Sequence, residues 1–373
     1  MPRPTGVQRV VRGLVLEMAR RGSVLPLVWQ SSLGSYCRLT PNQLAHLRGW
    51  SLLPWEHSLT GALSRNLQFL GNRMRQVDLS RVLKPGDHFI QPEIFQDERI
   101  EWVKAHFPNW QGIRKSLVFY DALNWSHPHL SASGRITRFT DYLNTCAQFD
   151  RVVPISDFSD QALKTFWRDE RITPAPSRVI QPVLGWSRRP RLKSDGDRLM
   201  KIPYVATLEP RKNHLALMEA CGVLWDEGHA FELILVGKEG PGQGKQIAAK
   251  IRNWTEAGKP LRWLAGLSDR GVKRLYRQAS FTVYPSLVEG FGLPILESLW
   301  FGAPCLCHHD GAVAETARGG GCHLVDVRHV DSLAAGIRSL LTDKALRTRL
   351  SNEAASRSFP SWAEYVNAWE QDG

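Results

Sequence analysis

Two carboxylates, Glu289 and Glu297, bracket the stretch Gly290-Phe291-Gly292-Leu293-Pro294. Ahead of it, Phe281 to Tyr284 is a short β-prone run that stops at Pro285. Pro294 suits a first helical position, where its missing N–H costs nothing and its φ is preset. Leu293, Leu296 and Trp300 recur at helical spacing, and Gly302 followed by Pro304 ends the helix. The loop therefore delivers a helix N-terminus, whose free N–H groups and positive dipole end attract anions. Carboxylates repel phosphate, so the useful partners of Glu289 and Glu297 are hydroxyls. A ligand carrying both a diphosphate and several hydroxyls, such as a nucleotide sugar, fits that pairing. On spacing alone a plainer reading stands beside it: the glycines make a turn and Glu297 complements the helix dipole.

The elements that position these groups read as alternating strands and helices, which predicts parallel sheets with helices on both faces. In such sheets ligands bind beyond the carboxyl ends of the strands. Tyr204 to Leu208 is a strand, and Glu209-Pro210-Arg211-Lys212-Asn213 is the loop at its end. Two cations beside a helix N-terminus would neutralise a diphosphate and stabilise it as it leaves, although an Arg-Lys pair in a loop is more often solvated surface. Phe231 to Val236 is a strand ending at Gly237. Ser116 to Tyr120 is another, ending in Asp121, which read alone is equally a turn or capping aspartate. His127 lies a few residues further on. Thr5-Gly6-Val7 reads as a glycine turn before a helix from about Val7 to Arg20, with Val10, Leu14 and Met18 on one face and Arg9, Arg12, Arg20 and Arg21 on or near the other. Arg151 to Ile155 and Val179 to Val183 are further strands, and Ser156 is an N-cap candidate.

Glu289-x7-Glu297 with Gly-Phe-Gly-Leu-Pro inside it closely resembles the signature of the family 4 glycosyltransferases, which have the GT-B fold. Glu209-Pro210-Arg211-Lys212-Asn213 resembles the phosphate loop of the same family. Asp121 matches the Asp of its His-Asp pair, with Tyr120 standing where that family has His. The resemblance implies an α/β protein of two Rossmann-like domains facing across a cleft. Residues 1–185 would form the acceptor-side domain, 186–200 a charged, turn-rich linker, 201–358 the nucleotide-sugar domain, and 359–373 a helix returning to the first domain. The strand that normally precedes the Gly6 turn has only five residues in which to fit, so either the first domain lacks it or the start codon has been placed late.

By the same resemblance, Arg211 and Lys212 bind the donor diphosphate, Glu297 the ribose and Glu289 the donor sugar. Backbone amides of Gly290, Phe291, Gly292 and Leu293 hold sugar or phosphate, with Gly237 nearby and Gly6 facing the phosphates from the other domain. Asp121, Glu289, Arg211 and Lys212 are the catalytic candidates. The implied reaction is transfer of a hexosyl unit, with retention of configuration, from a nucleoside diphosphate sugar to a glycan or lipid-linked glycan acceptor. The resemblance is to bacterial mannosyl and rhamnosyl transferases of surface-polysaccharide assembly, with GDP-mannose as the first choice of donor. No cofactor and no metal are expected. The alternative is a catalytically impaired or glycan-binding relative.

Composition bounds these readings. The 373 residues predict two domains. The net charge is +12, and residues 1–200 hold 28 Lys/Arg against 17 Asp/Glu, so the basic excess lies almost wholly in the first half. That half is expected to meet something acidic, with an anionic membrane surface as one candidate. Basic residues with interleaved aromatics in a nucleic-acid module are not found, so no nucleic-acid partner is expected. With no membrane-length apolar run and no signal peptide, the expected location is cytoplasmic, including peripheral attachment at the inner face of the plasma membrane. The six cysteines lack a zinc-type Cys-x2-Cys spacing and read as buried thiols of a reducing compartment, although Cys305, Cys307, Cys322, His308, His309 and His323 lie close in sequence.

Overall fold

The computed structural model describes residues 5–22, 24–41, 43, 74–130, 136–186 and 200–371. Nearly all of the 186–200 linker, most of residues 41–80, and anything preceding Thr5 lie outside them.

The first domain opens with the helix Gly6–Arg21, capped reciprocally by Thr5 and Gln8. An antiparallel hairpin follows, β1 (Leu27–Gln30) with β2 (Ser35–Arg38). Strands β3 (His88–Gln91), β4 (Arg114–Phe119) and β5 (Arg151–Pro154) then form a parallel sheet. All four residues of β5 are buried, as expected of a strand covered on both faces. Val179 to Val183, expected as a strand, is not one. Beside β5 the chain makes one bridge, at Ser177, and three backbone bonds: Val152 N–H to the Pro176 carbonyl at 2.9 Å, Arg178 N–H to the Val152 carbonyl at 3.2 Å and Ile180 N–H to the Pro154 carbonyl at 3.0 Å. Pro182 supplies no N–H for a next bond, so the pairing stops there.

The second domain holds β6 (Met200–Val205), β7 (Phe231–Val236), β8 (Leu261–Leu264), β9 (Thr282–Tyr284), β10 (Cys305–His308) and β11 (Cys322–Val325). They run as two parallel triplets, β6-β7-β8 and β11-β10-β9. Ser280 N–H donates to the Lys201 carbonyl at 3.3 Å where the triplets meet. The order therefore reverses between β6 and β9, and the loops leaving their carboxyl ends face each other at a topological switch point. Strand β11 carried no sequence signal: it is short, and only half-buried.

An apolar core joins the domains. Val118, Tyr120, Val153 and Ile155 of the first pack with Phe291, Leu296 and Trp300 of the second. The helix Trp362–Glu370 belongs to this core through Tyr365, Val366 and Trp369, which meet Val10 and Leu14 of the opening helix. Arg21 locks the two helices, donating to the Ala363 carbonyl and, at 2.7 Å, to Asn367 Oδ1. It also pairs with Glu17 and Glu370. This changes the reading of the basic helix face: Arg21 is engaged internally, Arg9 points into the cleft, and Arg20 pairs with Glu17. None of the described helices is long and apolar enough to cross a membrane.

Candidate active site

The β6 loop tightens into one 3-10 turn over Pro210–Lys212, and Asn213 takes a left-handed φ of 57° to start the helix His214–Asp226. This reversal aims Arg211 and Lys212 at the β9 loop. The two loops are tied by Leu287 N–H donating to the Arg211 carbonyl at 2.8 Å. Tyr204 hydroxyl holds the Lys212 carbonyl at 2.6 Å.

Glu289 receives both cations. Arg211 Nη1 donates to one carboxylate oxygen at 2.7 Å, and Lys212 Nζ to the other. Glu289 and Lys212 are each 8% exposed, so the pairing is largely shielded from water. Burial pushes the Glu289 carboxyl up, but Arg211 and Lys212 outweigh it and leave its pKa at about 2. Burial lowers the Lys212 pKa against the pull of Glu289. Arg211 also pairs with Glu209 at 3.0 Å. Two cations thus face two carboxylates, and an arriving diphosphate must compete for the cations.

The depressed pKa sets a pH dependence. Glu289 binds fewer protons folded than unfolded between pH 4.5, its ordinary value, and about 2. Its stabilising contribution is complete above that window and is lost as the pH falls through it. Denaturant titrations at pH 7 and pH 3 are expected to show Glu289→Gln much less stable than the parent at neutral pH, with the gap narrowing in acid. A constant gap would rule this out.

Asp121 enters from the first domain. It accepts Leu123 N–H at 3.1 Å, and burial raises its pKa above the usual carboxylate range. A Cβ on Gly290 would lie 3.2 Å from the Asp121 side chain and 2.6 Å from the Tyr120 carbonyl, so the domains touch here at glycine distance. Ser156 hydroxyl donates to the Gly290 carbonyl at 2.7 Å, and Ser159 hydroxyl to the Tyr120 carbonyl at 2.8 Å. Tyr120 itself is buried and donates its hydroxyl to the Pro92 carbonyl at 2.7 Å, so it supplies no donor to the cleft.

Gly292 has φ +124°, a conformation that excludes other residues without strain, and it precedes the helix Leu293–Trp300. No side chain caps that helix. Pro294 has no N–H and Ile295 N–H donates to the Gly292 carbonyl at 2.9 Å, so it is the Leu293 N–H, with the helix dipole behind it, that this terminus offers to an anion. Phe291 is buried, with its carbonyl held by Thr316 hydroxyl at 2.8 Å. Gly6 abuts the same helix: a Cβ there would lie 3.4 Å from Leu293.

Glu297 is fully buried and ion-paired across the cleft to Arg9, whose guanidinium also lies over the Trp186 ring. A ribose reaching Glu297 must displace or share this arginine. Gly237 stands behind the β6 loop rather than beside Glu289, with its N–H on the Leu264 carbonyl at 3.1 Å and its α-carbon packed on the Ala206 carbonyl. Asp121, Arg211, Lys212, Glu289 and Gly290 are thus brought together. Gly6, Gly292, Leu293 and Glu297 line the adjoining helix terminus.

Two cleft residues were not singled out in the sequence. Glu315 accepts Asp157 N–H at 2.8 Å and Phe158 N–H at 2.6 Å, capping the helix Asp157–Asp169 from the opposite domain. Arg9 was read only as part of a basic face. Neither role has a local signal, because each partner lies more than 150 residues away.

None of the six cysteines is in a disulfide, and five of them are buried. Among the described residues the grouping with metal-ligand spacing is His308, His309 and Asp326, which uses no cysteine. Arg328 already grips Asp326 through two bonds of 2.8 and 2.7 Å, a cation where a metal ion would sit.

Residues 188–357 match the family model described as glycosyl transferases group 1. A serotype-specific mannosyltransferase of Escherichia coli, WbdA, is 28% identical over 197 residues, covering 48% of this chain and 24% of that protein. The O-antigen chain mannosyltransferase B of Escherichia coli is 34% identical over 145 residues, covering 39% of this chain and 37% of its own length. The chain thus matches well under half of either relative. Among solved structures, the Anabaena protein HepE in complex with UDP and glucose aligns at a TM-score of 0.67 and 16% identity, over 100% of this chain and 96% of that one. The fold is GT-B, two Rossmann-like domains across a cleft.

Proposed function

We propose that the chain is a retaining glycosyltransferase that moves a hexosyl unit, mannosyl in the first instance, from a nucleoside diphosphate sugar to an acceptor hydroxyl on a glycan or lipid-linked glycan. The observation that carries this is the shielded trio of Arg211, Lys212 and Glu289 at the switch point, beside an uncapped helix N-terminus. The likeness of part of the chain to a serotype-specific mannosyltransferase and to an O-antigen chain mannosyltransferase supports the mannosyl choice and a place in surface-polysaccharide synthesis.

In this reading the diphosphate draws Arg211 and Lys212 away from Glu289 and takes the Leu293 amide at the start of the helix. The released Glu289 carboxylate then accepts sugar hydroxyls. As the bond from anomeric carbon to phosphate oxygen breaks, charge grows on the leaving diphosphate, where both cations and the helix dipole already point. Asp121 faces the same place from the first domain. No side chain is assigned as nucleophile, because retention does not demand one. The basic half of the chain remains a candidate for contact with anionic lipid through residues other than Arg9 and Arg21.

A panel of nucleoside diphosphates tested by thermal unfolding checks this. One member, GDP by the mannosyl reading, is expected to raise the melting temperature by mass action, with ~2.7 kcal/mol of added stability at one hundred times its dissociation constant. A flat response to all of them would remove the reading.

A further inference from the structure

The cleft contains a cavity of about 290 Å³ that meets the donor cluster at one residue, Glu289. It extends from there over the ends of β10 and β11 to His308 and Arg328, and its other wall is first-domain: His127, Leu130 and Phe158. Arg211, Lys212 and Glu297 do not line it. We propose that this cavity is the acceptor subsite, and that it takes the uncharged terminal sugar ring of a glycan in preference to a phosphorylated or carboxylated group. The proposal rests on the glycosyltransferase reading of Glu289.

Position is the first argument. A sugar held by Glu289 has its anomeric carbon near that carboxylate, so an acceptor hydroxyl must arrive through space contiguous with it. This cavity is contiguous with Glu289 and clear of the cations assigned to the diphosphate.

Charge is the second. The arginine in the lining, Arg328, is already spent on Asp326 through a two-pronged pair. Asp310 and Glu289 are carboxylates that would repel an anion. Burial lowers the pKa of His127 and of His308, favouring neutral rings that donate or accept hydrogen bonds without charge. Among the described lining residues an anionic acceptor finds no guanidinium but the one paired with Asp326, whereas hydroxyls find imidazoles and carboxylates.

Shape is the third. Phe158 lies against Gly311, its ring 3.5 Å from where a Cβ there would be, and with Leu130, Leu287 and Val288 it forms an apolar wall. A few polar groups opposite an apolar face is the composition of a small-ligand site. It suits the C–H face of a pyranose, and the volume holds a short glycan end rather than a long chain. The basic charge of the first half of the chain is thereby separated from the chemistry of the acceptor ring.

The test uses the full chain saturated with the nucleoside diphosphate found by thermal unfolding. Saturation-transfer NMR with methyl α-mannopyranoside, methyl α-glucopyranoside and mannose 6-phosphate reads binding. At least one methyl glycoside is expected to receive saturation, and mannose 6-phosphate is not expected to displace it. Phe158→Ala, which keeps the backbone bond to Glu315, and His127→Ala, a loop change, are each expected to weaken glycoside binding by about tenfold, the loss of one ring or polar contact. Both are expected to keep the parent's thermal response to the nucleoside diphosphate. Preferential binding of mannose 6-phosphate, or unchanged glycoside binding in both variants, would overturn the acceptor assignment while leaving the donor site standing. A missing nucleoside diphosphate response in the parent would instead fault the glycosyltransferase reading beneath it.

Discussion

Replacing Lys212 with Met is expected to reduce sugar transfer by about 10²–10³-fold, the usual loss when one preorganised electrostatic donor is removed from a site where charge develops. The substitution keeps most of the side-chain volume and removes only the charge. It also leaves Glu289 buried with Arg211 as its remaining cation, and breaking one side of a buried pair commonly costs ~3–5 kcal/mol. A fall in activity alone would therefore be ambiguous. Comparing the double variant Lys212→Met with Glu289→Gln against Glu289→Gln alone resolves it, because both lack the carboxylate assigned to the donor sugar and they differ only at Lys212. The double variant should regain much of the lost stability and still transfer sugar more slowly than Glu289→Gln alone. Melting curves and initial rates of donor consumption measure the two quantities. If the double variant matches Glu289→Gln in rate, Lys212 serves the fold and not the leaving diphosphate.

The second large effect is expected at Gly290. Adding one methyl group there places an atom 2.6 Å from the Tyr120 carbonyl, which is backbone and cannot swing aside. The first domain must retreat, straining the bond from Ser156 to the Gly290 carbonyl. Gly290→Ala is expected to cost ~1–3 kcal/mol, the range for overpacking. It should also lower transfer about 10²-fold, since a displacement near 1 Å between reacting groups has that effect. Gly22→Ala is the matched control. Gly22 has an extended φ of −169° and nothing within 4 Å of a new Cβ, so stability and rate should stay close to the parent. Equal behaviour of the two variants in melting and rate measurements would show that the domains do not need this close approach.

Both predictions concern residues whose types were legible in the sequence and whose reasons were not. Gly290 reads as a turn glycine, yet its φ is not among the positive values, and its lack of a side chain is explained by the neighbouring domain. Gly292, two positions on, is the residue whose backbone requires glycine. Lys212 reads as a phosphate ligand or as solvated surface; the structure buries it against Glu289. Tyr120 stands where the resembled family has His, but its hydroxyl is turned inward to Pro92.

Local sequence was enough for the alternation of strands and helices, the strand-loop-helix at Glu289, and the loop that carries Arg211 and Lys212. These follow from local periodicity, proline and glycine positions and helix-end chemistry, which act over a few residues. Tertiary structure decided that β6 and β9 are neighbours, so that two loops far apart in the chain share one ion cluster. It decided too that Arg9 meets Glu297, that Glu315 caps a helix of the other domain, and that Val179 to Val183 bonds to the sheet edge only through Ile180. Each of these depends on a partner brought near by packing. The energy of an ion pair, a cap or a strand ladder belongs to both partners, and one partner's sequence does not contain it.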